Sequence, residues 1–227
     1  MDIAKLLGDV EGGYHLGEDE AAALLQARGR DIFRILSTAD VLRQERVGQD
    51  VTYVRNQNIH ITNICKNLCG FCGFGRKEED EGAFCDDRET LLKKVALASS
   101  RNVTEICLLS GVHPRFTVET YEDILTTVHR AAPGVHLHAF SPDEVMHAAR
   151  QSGITTGEVL ERMQAAGLSS LQGTAAEILA DHVRSAICPR KVSTADWVRI
   201  IREAHRMGIP TTATIMYGTC ETGEDRA

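Results

Sequence analysis

The hydrophobic rhythm of the chain changes near residue 56. Before that point apolar positions recur every three or four residues, the spacing that gathers them on one stripe of an α-helix. Residues 18–28 are rich in Ala, Leu and Glu, and Ile32, Ile35, Leu36, Ala39 and Leu42 share one helical stripe. This predicts an N-terminal helical segment over residues 1–55, a layer packed onto something larger. From there to residue 227, short β-branched or apolar runs alternate with amphipathic helical patterns, the signature of βα units. The runs that read as strands are 57–64, 104–109, 135–140, 169–172 and 211–217. Between them Val118, Tyr121, Leu125 and Val128 share a helical face, as do Trp197, Ile200, Ile201, Ala204 and Met207. Ser193 followed by Asp196 resembles a capping box that starts the last of these helices, and Gly208 with Pro210 marks its stop.

Two strands alternate in an informative way. In residues 135–140, His136 and His138 fall on one face and Val135, Leu137 and Ala139 on the other; in residues 58–62 the polar face is Asn58, His60 and Thr62. If helices cover the apolar faces, as in a barrel wrapped by helices, these polar faces point into the lumen. Such a lumen suits a polar ligand better than a sealed core. The plainer alternative is that the histidines hydrogen-bond one another or the backbone.

Composition narrows the function. With 227 residues, 43% hydrophobic and 25% charged, the chain is neither disordered nor of low complexity. Its 25 Lys and Arg against 32 Asp and Glu give a net charge of −7, and no basic run exceeds a pair, so nucleic acid is not the expected partner. The start of the chain, with Asp2, Asp9 and Glu11, lacks the basic and apolar regions of a secretory signal. No apolar run approaches the ~20 residues a membrane span needs. A cytoplasmic protein acting on small molecules is expected. Seven cysteines are an odd number for a disulfide framework, and three crowd into Cys65, Cys69 and Cys72. In a reducing compartment that clustering points to metal.

The spacing of three then two residues, directly after the first strand, lets one loop bring three thiolates to a [4Fe–4S] cluster and leave one iron without a protein ligand. A ligand can chelate that open corner. Zinc is the alternative, but it wants four ligands, and Cys85 is the nearest candidate to complete them. Cys107, within an apolar strand, reads as a small core residue; Cys85, Cys188 and Cys220 have no partner at metal-ligand spacing.

With Phe71 before its last cysteine, the loop resembles the hallmark of the radical S-adenosylmethionine superfamily. The resemblance implies an α/β fold, a partial (βα) barrel of the radical SAM type with an N-terminal helical layer. It implies a [4Fe–4S] cluster held by Cys65, Cys69 and Cys72, with S-adenosylmethionine bound to the open iron and cleaved to a 5′-deoxyadenosyl radical. The turn from Ser110 and Gly111 to His113 and Pro114 matches the family's glycine-rich turn at the amino end of S-adenosylmethionine, with Ser110 in place of a usual glycine. Residues 136–142, 173–179, 187–191 and 208–218 resemble the CofH-type branch, the second component of FO synthase in coenzyme F-420 synthesis. That branch implies transfer of the 4-hydroxybenzyl group of L-tyrosine to 5-amino-6-(D-ribitylamino)uracil, with a reducing electron donor and the first component of FO synthase as partners. His60, Thr62, His136, His138, Thr212 and Thr214 are the candidates for binding the substrates. Glu177 is a candidate for the tyrosine ammonium or the ribose of S-adenosylmethionine, or else a carboxylate at a helix N-terminus.

Three other readings stay open: the related menaquinone-pathway (futalosine) enzymes, a metal-dependent hydrolase using His60, His136 and His138, and a non-enzymatic cluster-binding fragment. The family barrel has six strands and further C-terminal structure. By that comparison the barrel is expected to be incomplete at the C-terminus, with an exposed edge on the fifth strand.

Overall fold

A computed structural model describes residues 1–227 as two compact units, Met1–Tyr53 with Cys220–Ala227, and Val54–Thr219. The first is helical: α1 (Ile3–Glu11), α2 (Glu18–Leu25), α3 (Arg30–Val47) and a terminal turn, α10 (Gly223–Arg226). Asp2 caps α1 by accepting from the Ala4 and Lys5 N–H groups, and Glu18, Asp19 and Glu20 crowd the first turn of α2, where the helix dipole favours them. The Thr38 hydroxyl donates to Glu11 at 2.6 Å and ties α3 to α1. Of the predicted α3 stripe, Ile32 and Leu36 are exposed, and the buried position on that helix is Thr38.

The second unit is a βα succession: β1 (Asn56–Thr62), α4 (Arg88–Ser100), β2 (Glu105–Ser110), α5 (Val118–Ala131), β3 (His136–Ala139), α6 (Pro142–Ser152), α7 (Thr156–Ala165), β4 (Ser170–Leu171), α8 (Asp181–Ile187) and α9 (Thr194–Arg206). The strands are parallel and ordered β1-β2-β3-β4, so each helical crossover adds the next strand to the same edge. Asn58, Cys107, His138 and Ser170 lie side by side across the sheet, and His60 pairs with Leu109. The pleat sorts the faces as the alternation predicts. Ile59, Ile61, Ile106, Leu108, Leu137, Ala139 and Leu171 pack under the helices with Val95, Leu125, Val128, Leu160, Met163 and Ile200. Each such fully buried aliphatic side chain contributes about 1.5–3 kcal/mol. Trp197, on the α9 stripe, is buried and its indole N–H donates to the Thr174 carbonyl at 3.1 Å. Ser193 caps α9, accepting from the Asp196 N–H, and Gly208 at φ +74° follows its end.

The fifth expected strand is corrected. Residues 211–217 run beside residues 171–177 but form only isolated parallel bridges, Leu171 with Thr211 and Glu177 with Ile215. The reason is the partner: Ala175 and Glu177 sit at φ +68° and +51°, so the stretch after β4 is not extended and cannot form a ladder. The sheet therefore has four strands and does not close. Cys107 is buried, as expected of a small core residue, and lies on the face shared with Asn58 and His138, where the Gln172 amide donates to its sulfur at 3.3 Å. No helix is long and apolar enough to cross a membrane.

Candidate active site

The C-terminal ends of the strands open on a cavity of about 320 Å³, in the position where open α/β sheets bind their ligands. Cys65, Cys69 and Cys72 all line it. The cysteine loop is irregular backbone held from its flanks. Cys65 N–H donates to the Arg76 carbonyl and Lys66 N–H to the Val112 carbonyl, both at 2.9 Å. Leu68, at φ +43°, turns the chain back, and the Cys72 N–H closes a turn onto the Cys69 carbonyl at 3.0 Å. Gly75 sits against two of the cysteines: a Cβ there would lie 3.6 Å from Cys65 Cβ and 4.0 Å from Cys72 Sγ.

Three cysteines lining one cavity could supply the donor set of a cluster that keeps one iron for a ligand. Burial pushes the Cys69 thiol up to about 12, against the opposing charge of Lys191, so a metal arriving there must displace a proton. A single zinc ion instead needs its donors within ~2.3 Å of one point. No three His, Cys, Asp or Glu side chains, the loop cysteines included, are drawn together closely enough to hold one ion. Two histidines of the hydrolase reading are otherwise engaged, His136 Nε2 and His138 Nδ1 each meeting the Ser170 hydroxyl at 2.7 Å; His60 lies tilted against Phe74 with ring centroids 4.6 Å apart, and its buried Nδ1 has no partner.

Gly111 forms the wall beside the cysteine loop. A Cβ on it would lie 2.4 Å from the Ile64 carbonyl oxygen and 3.0 Å from Cys65 Cβ, so only glycine lets the β2 turn abut the cysteine loop. Ser110 lines the cavity and turns its hydroxyl onto the Gly111 carbonyl at 2.7 Å. Further round, the N-terminus of α6 brings Asp143 and Glu144, both buried. Glu144 Oε2 accepts from the Ser141 N–H and hydroxyl at 2.7 and 2.8 Å, and Oε1 has no partner. Burial outweighs those bonds and raises its pKa to about 8, so it is a neutral acid at pH 7. Burial likewise raises Asp143, whose Oδ1 accepts from Val192 N–H at 2.8 Å while Oδ2 is unpartnered. Lys191 brings a cation to the cavity. Burial opposes its charge, but Glu177, 2.5 Å away, overcomes that and raises its pKa.

Of the residues singled out in the sequence, the structure gathers Cys65, Cys69, Cys72, Ser110, Gly111 and His60 around this cavity. Glu177 stands behind it, paired to Lys191 and ahead of α8 rather than on its first turn. His136 and His138 lie nearer the strand N-termini than His60 does. The Thr62 hydroxyl donates to the Phe84 carbonyl and accepts from the Ile64 N–H. Thr212 accepts from the Gly173 N–H, and Thr214 is exposed. Sequence reasoning missed Asp143, Glu144, Gln172 and Lys191. Ser141 to Glu144 reads simply as a capping box, and the signal that distinguishes it is its position directly after a strand end, where ligands bind.

A family model described as the radical SAM superfamily matches residues 59–227. The chain is 58% identical over 99% of its length to the 5-amino-6-(D-ribitylamino)uracil–L-tyrosine 4-hydroxyphenyl transferase of Methanosphaerula palustris, covering 62% of that protein. It is 53% identical over 99% of its length to the protein of the same name from Methanoculleus marisnigri, covering 61% of it. The chain thus spans about three fifths of the length of these relatives. Among solved structures, the [FeFe]-hydrogenase maturase HydG superposes with a TM-score of 0.76 at 16% identity, over 99% of this chain and 48% of that one, a likeness of fold alone. With its cysteine loop, its cavity at the strand ends and the family match over most of its length, the chain belongs to the radical SAM superfamily.

Proposed function

We propose that this chain carries the radical-generating core of an enzyme that transfers the 4-hydroxybenzyl group of L-tyrosine to 5-amino-6-(D-ribitylamino)uracil in deazaflavin synthesis. The observation that carries this reading is the 58% identity, over 99% of the chain, to a protein named for that transfer. When bound, a [4Fe–4S] cluster and S-adenosylmethionine supply a one-electron bond cleavage and a carbon radical able to abstract hydrogen.

The chain's own residues provide the setting. Cys65, Cys69 and Cys72 hold the cluster, and the bare backbone at Gly111 admits close approach of the S-adenosylmethionine amino acid beside Ser110. Lys191 offers a cation to a carboxylate, with Glu177 keeping that ammonium charged and in place. The Glu144 carboxyl, neutral at pH 7, can donate as well as accept. His60 and the Gln172 amide supply polar contacts for the phenol, uracil or ribityl groups, and His138 with its neighbours extends that polar face down the sheet. Leu68, Phe71, Phe74, Leu109 and Val112 supply the apolar lining that keeps water from a reactive carbon radical. A low-potential electron donor and the first component of FO synthase are the protein partners this reading calls for.

The test is an anaerobic assay of the reconstituted chain with tyrosine, the ribityl-uracil, S-adenosylmethionine and a strong reductant, with products identified by mass. The expected product joins the benzyl fragment to the uracil and appears with 5′-deoxyadenosine. A futalosine-type product from the corresponding substrates, or no dependence on tyrosine, overturns the assignment.

A further inference from the structure

Each cysteine of the loop has an immediate neighbour in contact with one short, distant segment. Next to Cys65, the Lys66 carbonyl accepts from Arg190 Nη1 at 3.0 Å, across a separation of 124 residues. Next to Cys69, the Gly70 N–H donates to the Ile187 carbonyl at 3.0 Å. Next to Cys72, the Phe71 ring lies 5.4 Å beneath the Lys191 ammonium. The segment is itself anchored: Lys191 to Glu177, the Val192 N–H to Asp143, and the Val192 carbonyl to the buried Arg184 guanidinium, which also donates to the Ala175 and Ala176 carbonyls at 2.8 and 2.6 Å. The loop, by contrast, belongs to no helix or strand between residues 65 and 72.

We propose that residues 187–192 are a clasp that holds the cysteine loop in the shape that binds its cluster, with Arg190 as the positioning residue. The proposal rests on the reading of Cys65, Cys69 and Cys72 as the residues that hold that cluster. The physical reason is preorganisation. Three thiolates on irregular backbone must be within a fraction of an ångström of their places, and such precision comes from bonds made by a surrounding shell. On its other flank the loop is tied by the Val112 and Arg76 carbonyls, so the clasp completes its enclosure. Arg190 is exposed, outside the cavity, and touches no reacting group; it acts through the Lys66 carbonyl.

The test is the rate at which the reconstituted holoprotein loses its absorption near ~400 nm when a strong iron chelator is added anaerobically. Arg190→Gln, too short to reach the carbonyl, is expected to load normally and then bleach about fivefold faster, the factor that corresponds to one lost hydrogen bond of about 1 kcal/mol. Arg190→Lys, which can still donate one bond, should stay within about twofold of the parent. Arg162→Gln, which breaks the pairs to Glu119 and Glu122 far from the loop, should bleach at the parent rate even if it lowers the melting temperature. Equal rates for Arg190→Gln and the parent, or equal acceleration in Arg162→Gln, overturn the clasp. Cys69→Ala tests the underlying reading separately: it should never acquire the band, and a full band there overturns the ligand assignment whatever Arg190 does.

Discussion

Glu144 contributes a fall in stability as pH rises, and Glu144→Gln should remove that contribution. In the unfolded chain the carboxyl ionises near its ordinary value of 4.5; in the folded chain burial holds it to about 8. Below pH 4.5 it is protonated in both states and the folded protein keeps its full stability. Between 4.5 and 8 the unfolded chain gives up a proton that the folded chain retains, so each step up in pH favours unfolding. Above 8 both forms are ionised and the effect levels off. The interval from 4.5 to about 8, at ~1.4 kcal/mol per pH unit, amounts to at most ~5 kcal/mol. Glutamine matches the neutral acid in shape. Its amide oxygen can accept from the Ser141 N–H and hydroxyl as Oε2 does, and its NH₂ takes the place of the unpartnered Oε1. The variant should therefore match the parent near pH 5 and exceed it by several kcal/mol at pH 8. Anaerobic urea titrations of the cluster-free chain at intervals from pH 5 to 8 measure this. His60, His113, His138 and His147, all with pKa values lowered by burial, contribute the opposite slope in both proteins, and Asp143, raised by burial and coupled by charge to Glu144, adds to the fall in both. Parallel stability curves, or a variant weaker than the parent at pH 8, would refute the reasoning.

Three further substitutions probe the cavity wall at Gly111 and the segments behind it. Gly111→Ala places a methyl group 2.4 Å from a backbone oxygen that cannot swing aside, so it should cost about 1–3 kcal/mol in urea titrations and lower the iron bound per chain. Arg184→Met strips the charge-assisted bonds from the Ala175, Ala176 and Val192 carbonyls and leaves them buried; a loss of about 3–5 kcal/mol is expected, and a change under 1 kcal/mol would show that water replaces the guanidinium. Gly173→Ala would put Cβ 1.4 Å from the Thr212 carbonyl oxygen, which forces residues 173 and 212 apart. Hydrogen exchange at the Thr214 and Met216 amides, which donate to the Gly173 and Glu177 carbonyls, should then accelerate at least about tenfold, while the β2 amides stay protected.

What the sequence reveals and what it hides follow one physical line. Period-two alternation announces a strand and both of its faces, so β1 and β3, and the opposition of Ile59 to His60 and of Leu137 to His138, are legible at once. The cysteine loop is legible because metal chemistry restricts both residue type and spacing. The other cavity walls come from chain just past a regular element: Asp143 and Glu144 after β3, Gln172 after β4, and Lys191 after the helix α8. No periodicity marks such residues. Their chemistry arises from contacts across 14 or 49 residues, as with Lys191 and Glu177 or Val192 and Asp143.

The same line explains why the expected fifth strand fails while the residues around it matter. Its apolar and threonine-rich composition favours extended chain, and residues 211–216 do lie parallel to their neighbour, bonded through Thr212, Thr214 and Met216. A ladder, however, needs two extended partners, and residues 173–177 are bent by positive φ at Ala175 and Glu177. Neither is glycine, so each conformation costs of order 1 kcal/mol or more and persists only because surrounding bonds determine it. Those bonds are identifiable: Arg184 grips the Ala175 and Ala176 carbonyls, the Trp197 indole the Thr174 carbonyl, and Lys191 the Glu177 carboxylate. The bend that prevents the strand is the bend that brings Thr174, Ala175 and Lys191 to the cavity, so regular pairing at this edge is given up for the geometry of the site.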